Sequence, residues 1–170
     1  MLLEIAVLGL FPAAMIYAAA SDLVTMTISN RVSLALFFAF FAIAVWIGMP
    51  FADMGRHLAA SAIVLAVAFG FFARGWIGGG DAKLAAATAL WLGFSLLMDY
   101  LLVAAVIGGA LTLAILQARK WPLPYFLARH GWIVRLHAVE TGIPYGIALA
   151  AAGLIVYPDT VFMHAAGSVS

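Results

Sequence analysis

Two aspartates, Asp22 and Asp81, stand 59 residues apart at the same kind of place, each where a long apolar run meets a short polar break. Asp22 closes the stretch Ala18-Ala19-Ala20-Ser21-Asp22-Leu23, and Asp81 follows Gly78-Gly79-Gly80, directly before the fourth apolar run. A carboxylate at the rim of hydrocarbon is costly unless it is hydrated, paired or used. Two that meet at one membrane face can share a proton, one serving as acid while the other serves as base. Such a pair activates water against a peptide carbonyl and protonates the departing nitrogen, with no covalent intermediate, metal or cofactor. Gly78, Gly79 and Gly80 lack a Cβ, so the backbone there can take positive φ and lie close to another strand or helix, leaving room for an extended substrate to approach Asp81.

The remaining candidates are weaker. Capping is the plain alternative for the two acids: Asp81 reads as an N-cap of the fourth helix and Asn30 as that of the second. Asp22 follows a helix C-terminus, where a negative charge meets an unfavourable dipole, so capping explains it poorly. Asp53, Asp99 and Asp159 read as turn or boundary residues, and Glu140 as a partner for Arg135 or an auxiliary acid. His130 and His137 have too few neighbouring ligands for a metal site. No serine has a partnered base at an identifiable spacing. The chain holds no cysteine, which excludes disulfides, a thiolate nucleophile and Cys-ligated metals.

The elements that must position the acids are membrane helices. Of 170 residues, 67% are hydrophobic and 9% charged, with a mean hydropathy of +1.17; a soluble domain carries about a quarter charged residues. The expected fold is all-α, one polytopic membrane domain over residues 1–170 with about six transmembrane helices. Apolar stretches fall at residues 5–20, 32–50, 57–73, 83–98, 100–117 and 143–162. Asp99 alone separates the fourth from the fifth, and the two are read as separate helices because one helix over 83–117 would be about 52 Å long. The net charge of +1 and the lack of a basic stripe argue against nucleic acid as a partner.

Six helices place Arg31, Arg74, Lys83, Arg119, Lys120, Arg129 and Arg135 on one face and Arg56 alone on the other. The positive-inside rule makes the first face cytoplasmic and both termini external. Asp22 and Asp81 then lie at similar depth on the cytoplasmic side. Ala18 and Ala20 imitate a signal-peptidase site, yet Glu4 and the absence of a basic n-region point to an uncleaved first helix. Residues 118–142 form the longest polar segment. Pro122 and Pro124 break its start, and 125–137 is expected to form an amphipathic interfacial helix with its arginines near anionic lipid headgroups.

Three blocks of this sequence carry a resemblance. They are Ser21-Asp22-Leu23 through Thr27-Ile28-Ser29-Asn30-Arg31, Gly78-Gly79-Gly80-Asp81-Ala82-Lys83-Leu84, and Ile143-Pro144-Tyr145-Gly146-Ile147-Ala148. Their order and spacing resemble the type IV prepilin peptidases, intramembrane aspartic proteases with a Gly-x-Gly-Asp element, and most closely the short members that serve Tad/Flp pili. The resemblance implies that Asp22 and Asp81 are the catalytic pair and that the substrates are pilin and pseudopilin precursors. Their short basic leader would be cut at the cytoplasmic face of the bacterial inner membrane, in association with pilus assembly machinery. It also implies that Asn30, Lys83 and the Pro144-Tyr145-Gly146 turn support the site. Ser29 departs from the family's usual proline. The longer members' cytoplasmic domain with its Cys-x-x-Cys pair is missing, so methyltransferase activity is not expected. The competing readings are a small transporter or channel component with both aspartates on an ion path, and a structural subunit of a pilus or secretion complex.

Overall fold

The computed structural model describes residues 2–167 and is all-helical over them. The elements are α1 (Leu2–Thr25), α2 (Asn30–Trp46), α3 (Phe51–Ala73), α4 (Gly79–Ala118), α5 (Gly131–His137), α6 (Gly146–Val156), a 3₁₀ turn (Tyr157–Asp159) and α7 (Val161–Gly167). Three of them, α1, α3 and α4, are long and apolar enough to cross a membrane, and α6 with α7 makes a fourth if that pair, bent by 48°, is one span. The expected single helix over 143–162 is thus broken. Pro158 lies in the 3₁₀ turn and has no N–H with which to continue the helix.

The largest departure from the expected layout lies within α4. Its break falls at Gly93 rather than at Asp99, which is an exposed residue inside continuous helix. Gly93 takes φ 67° and ψ −174°, a conformation open essentially to glycine alone. The chain turns back on itself there. Asp81 near the start of α4 and Arg119 at its C-cap line the same cavity, whereas a straight helix would separate them by about 57 Å. Leu90 lies too close to the break for its carbonyl to be paired in the usual way, and His57 Nδ1 on α3 hydrogen-bonds it at 2.8 Å.

Lipid supplies no hydrophobic drive between helices, so close packing and interhelical hydrogen bonds hold them together. The first arm of α4, residues 79–92, buries Ala82, Ala85, Ala86, Ala87 and Ala89 against its neighbours. Ser61 Oγ of α3 donates to the Ala86 carbonyl at 2.8 Å, and Trp91 Nε1 to the Leu36 carbonyl of α2 at 3.0 Å. Phe11 of α1 stacks on Tyr157 at 4.3 Å, and Tyr157 donates to the Val7 carbonyl at 2.9 Å. The end of the molecule opposite the acids is therefore closed by an aromatic core.

Two boundaries bear on the acids. α1 runs through the polar break to Thr25, so Asp22 sits inside its last turn and not beyond its end. Thr25 Oγ1 bonds back to the Ser21 carbonyl at 2.7 Å, and the Met26 N–H reaches the Asp22 carbonyl at 2.8 Å. The N-caps also differ from expectation. Ser29 caps α2 by accepting the Arg31 N–H, leaving Asn30 as the first helical residue, and Gly78 caps α4, putting Asp81 at its third position.

The 118–142 segment is helical only over α5, seven residues instead of the expected 125–137. Pro122 and Pro124 and the turns that follow occupy the remainder. Arg119 holds this segment down: its Nε donates to the Leu136 carbonyl at 3.0 Å, and its Nη2 to the Thr141 and Gly142 carbonyls at 3.1 and 3.0 Å.

Candidate active site

Asp22 and Asp81 open onto one cavity of about 270 Å³, walled by Met26, Thr27, Ile28 and Gly78–Gly80. They are close enough for their charges to act on each other. Asp22 is 4% exposed, and its Oδ2 accepts the Gly146 backbone N–H at 2.8 Å. This amide opens α6, whose first-turn N–H groups have no helical partner of their own. Asp81 reaches back from the third position of α4 to the backbone of Gly78, an arrangement an acid at that position commonly adopts.

Of the two freedoms a missing Cβ gives, the glycines of 78–80 use close approach and not positive φ. Gly78 is extended at φ −73°, and the glycines with positive φ are Gly48, Gly75 and Gly93. A Cβ on Gly78 would lie 3.1 Å from Asp81 Oδ2, and one on Gly79 would lie 3.3 Å from the Phe72 ring. On Gly80 it would lie 3.1 Å from Ile28 Cβ and 3.3 Å from the Ile28 nitrogen. On Gly146 it would meet Ile28 Cδ1 at 2.5 Å and Asp22 Oδ2 at 2.7 Å. Gly80 and Gly146 thus clasp Ile28 from two helices, which fixes the 26–29 turn under both acids.

Tyr145 is brought to the site from the same α6 start. Its hydroxyl donates to the Ala104 carbonyl at 3.2 Å, and its ring fills the space left by Gly108, where a Cβ would come within 2.2 Å. Pro144 is buried just before it, its carbonyl accepting the Ile147 N–H at 3.3 Å.

The other expected supports lie elsewhere. Lys83 Nζ donates to Asn30 Oδ1 at 2.8 Å, and the pair borders a separate groove between α2, α3 and α4. Residues two apart on a helix do not share a face, so Lys83 points away from Asp81. Glu140 is exposed and forms no ion pair with Arg135 among the described residues. No group of three potential metal ligands occurs among the described residues.

Three contributors were not singled out by sequence reasoning. Ile28 had appeared only as one letter of a block, Arg119 only as a cytoplasmic charge, and Gly108 not at all. The pairing of Ile28 with two distant glycines gives no local signal. Arg119 follows a long apolar run and precedes a Pro-broken segment, which is where a helix-end clamp belongs.

No curated protein and no solved structure matches the chain. Residues 9–113 match the type IV leader peptidase family, a stretch that takes in Asp22, the Ile28 turn, Gly78–Asp81, the first arm of α4 and most of the second. With more than half its length so matched, this multi-pass membrane chain belongs to the type IV leader peptidase family.

Proposed function

We propose that the chain is an aspartic endopeptidase that removes the leader from Flp-type pilin precursors, with Asp22 and Asp81 dividing the proton transfers between them. The observation that carries this reading is the single cavity onto which the two acids open. Each acid accepts a backbone N–H, Asp22 that of Gly146 and Asp81 that of Gly78, so the pair shares one proton, and the cycle is written with Asp22 starting as the base and Asp81 holding that proton.

Asp22 takes a proton from water as the hydroxide adds to the scissile carbonyl carbon, and Asp81 gives its proton to the carbonyl oxygen. In the tetrahedral species that results, Asp22 passes its proton to the nitrogen, Asp81 recovers one from a hydroxyl, and the C–N bond breaks. A carboxylic acid and an amine leave, and both aspartates return to their starting states.

The membrane frame of this proposal has six crossings: α1, α2, α3, the two arms of α4, and α6 with its continuation. The reversal at Gly93 and the seven basic residues on one side support it. The active rim then faces the cytoplasm of a bacterial inner membrane, with both termini outside. A leader bond is cut where it emerges into water, which avoids most of the several kcal/mol that opening a helix within lipid costs. Asp22→Asn and Asp81→Asn, each co-expressed with a pilin precursor, should leave the protein inserted and abundant while abolishing the size shift of the precursor. Normal processing by either variant refutes the reading.

A further inference from the structure

Two further cavities meet at Asp81 and Tyr145, one mixed in its lining and the other almost wholly apolar. One, of about 610 Å³, is bordered by Thr112, Arg119, Thr141 and Gly142 beside the Gly75–Gly78 turn. The other, of about 340 Å³, lies between α3, both arms of α4 and α6, and apart from Asp81 and Tyr145 its lining is wholly apolar. Val67 and Phe71 of α3 and Leu101 of α4 form its outer rim, 54%, 41% and 40% exposed, and Ala85 and Leu149 form its floor. The fold makes this groove at Gly93: the reversal sets residue 85 on one arm opposite residues 97 and 101 on the other. From Phe71 to Ile63 the groove runs about 12 Å along α3, the length of three to four extended residues.

We infer that this apolar groove receives the substrate residues that follow the scissile bond, and that Val67 and Leu101 set the bulk it accepts. The inference rests on the reading above that Asp81 acts on the bond. A peptide laid across Asp81 must put one flank into each cavity. The flank that stays with the membrane belongs in the groove whose rim opens on the lipid-facing surface of α3 and α4. The released flank belongs on the side of Arg119 and the polar loop. Apolar residues gain nothing by leaving lipid for such a groove, so what it selects is shape. Bulk, and not polarity, is therefore the property to perturb.

The test uses membranes holding the full chain and a purified precursor, with KM and kcat measured separately. Val67→Trp and Leu101→Trp enlarge rim residues that already face outward, and Leu102→Trp, one residue on at 57% exposed and outside the groove, is the control. Overfilling a fitted groove weakens binding, so KM should rise about tenfold, about 1.4 kcal/mol, in both rim variants, with kcat within about twofold and the control unchanged. A precursor carrying alanine at the three positions after the cut should recover most of the loss. The inference is overturned if KM does not move in either rim variant, as it would not if a lipid chain alone occupies the groove. It is equally overturned if the control loses as much, or if the alanine precursor rescues nothing. The dyad reading fails separately, through activity of Asp22→Asn or Asp81→Asn on any precursor.

Discussion

Gly146→Ala tests how Asp22 is held, because the structure assigns the new methyl two collisions of different meaning. It would lie 2.5 Å from Ile28 Cδ1 and 2.7 Å from Asp22 Oδ2. The first is overpacking, worth about 1–3 kcal/mol of stability. The second pushes the Asp22 carboxylate off the Gly146 N–H, which it now accepts at 2.8 Å. A hydrogen bond to a charged group contributes about 1.5–3 kcal/mol. If about 2 kcal/mol of that is used in orienting the base, processing slows about thirtyfold. Gly142→Ala is the control, since a Cβ there meets nothing within 4 Å and its carbonyl still serves Arg119.

The two collisions separate in the double variant Ile28→Val with Gly146→Ala. Valine lacks Cδ1, so thermal stability in detergent should return most of the way. The clash with Asp22 persists, so the processing rate should stay low. The assay is initial cleavage rate at matched protein abundance, alongside the unfolding midpoint. Wild-type cleavage by Gly146→Ala, or recovery of both readouts together in the double variant, would refute the claim that this amide sets the base.

Two other substitutions probe the frame. Gly93→Ala forces a Cβ onto φ 67° and to 2.8 Å from the His57 ring, so the unfolding free energy should drop by about 3 kcal/mol. A His57→Ala background should restore only part of this, because the backbone strain remains; full restoration would mean that crowding alone is at issue. Lys83→Ala should keep processing within about twofold, since its partner is Asn30 and an exposed polar pair contributes about 1 kcal/mol or less. A loss near that of Asp81→Asn would bring the ammonium into the chemistry.

Sequence patterning was most informative where chemistry and hydropathy coincide. Asp22 and Asp81 interrupt apolar runs, so both stand out in the sequence, and positions 143–146 stand out as a turn before an apolar stretch. The break in α4 was misplaced because Asp99 is conspicuous and Gly93 is not. A charged residue can sit exposed in a helix without ending it, whereas Trp91-Leu92-Gly93-Phe94 reads as uninterrupted hydrocarbon. Only the backbone reveals that Gly93 adopts an angle closed to other residues. The end of α1 was misplaced for a related reason. Ser21 and Thr25 look like a polar stop, yet Thr25 bonds within the helix and Ser21 Oγ reaches forward to the Thr27 carbonyl, so both prolong the ordered turn. Ile28 was illegible because its role depends on two glycines 52 and 118 residues further along the chain.

These details share one physical origin. Irregular backbone at membrane depth is tolerated only where its polar groups find partners, and two such stretches, at Gly93 and before α6, bear on the acids. At Gly93 the Leu90 carbonyl is met by His57, and the reversal brings Asp81 and Arg119, the two ends of α4, to one side. At the opposite end the free amide that opens α6 is met by Asp22, and Arg119 secures the loop leading to that amide through the Thr141 and Gly142 carbonyls. The acid from α1 is therefore held by a helix start, the acid from α4 by its own first turn, and the loop between α4 and α6 by the C-cap arginine of α4. The Gly146 amide holds one wall acid of the cavity, and Arg119 holds the loop that carries that amide. The hydrogen bonds at the start of α6 and at the C-cap of α4 thus hold the geometry in which two carboxyl groups face one cavity.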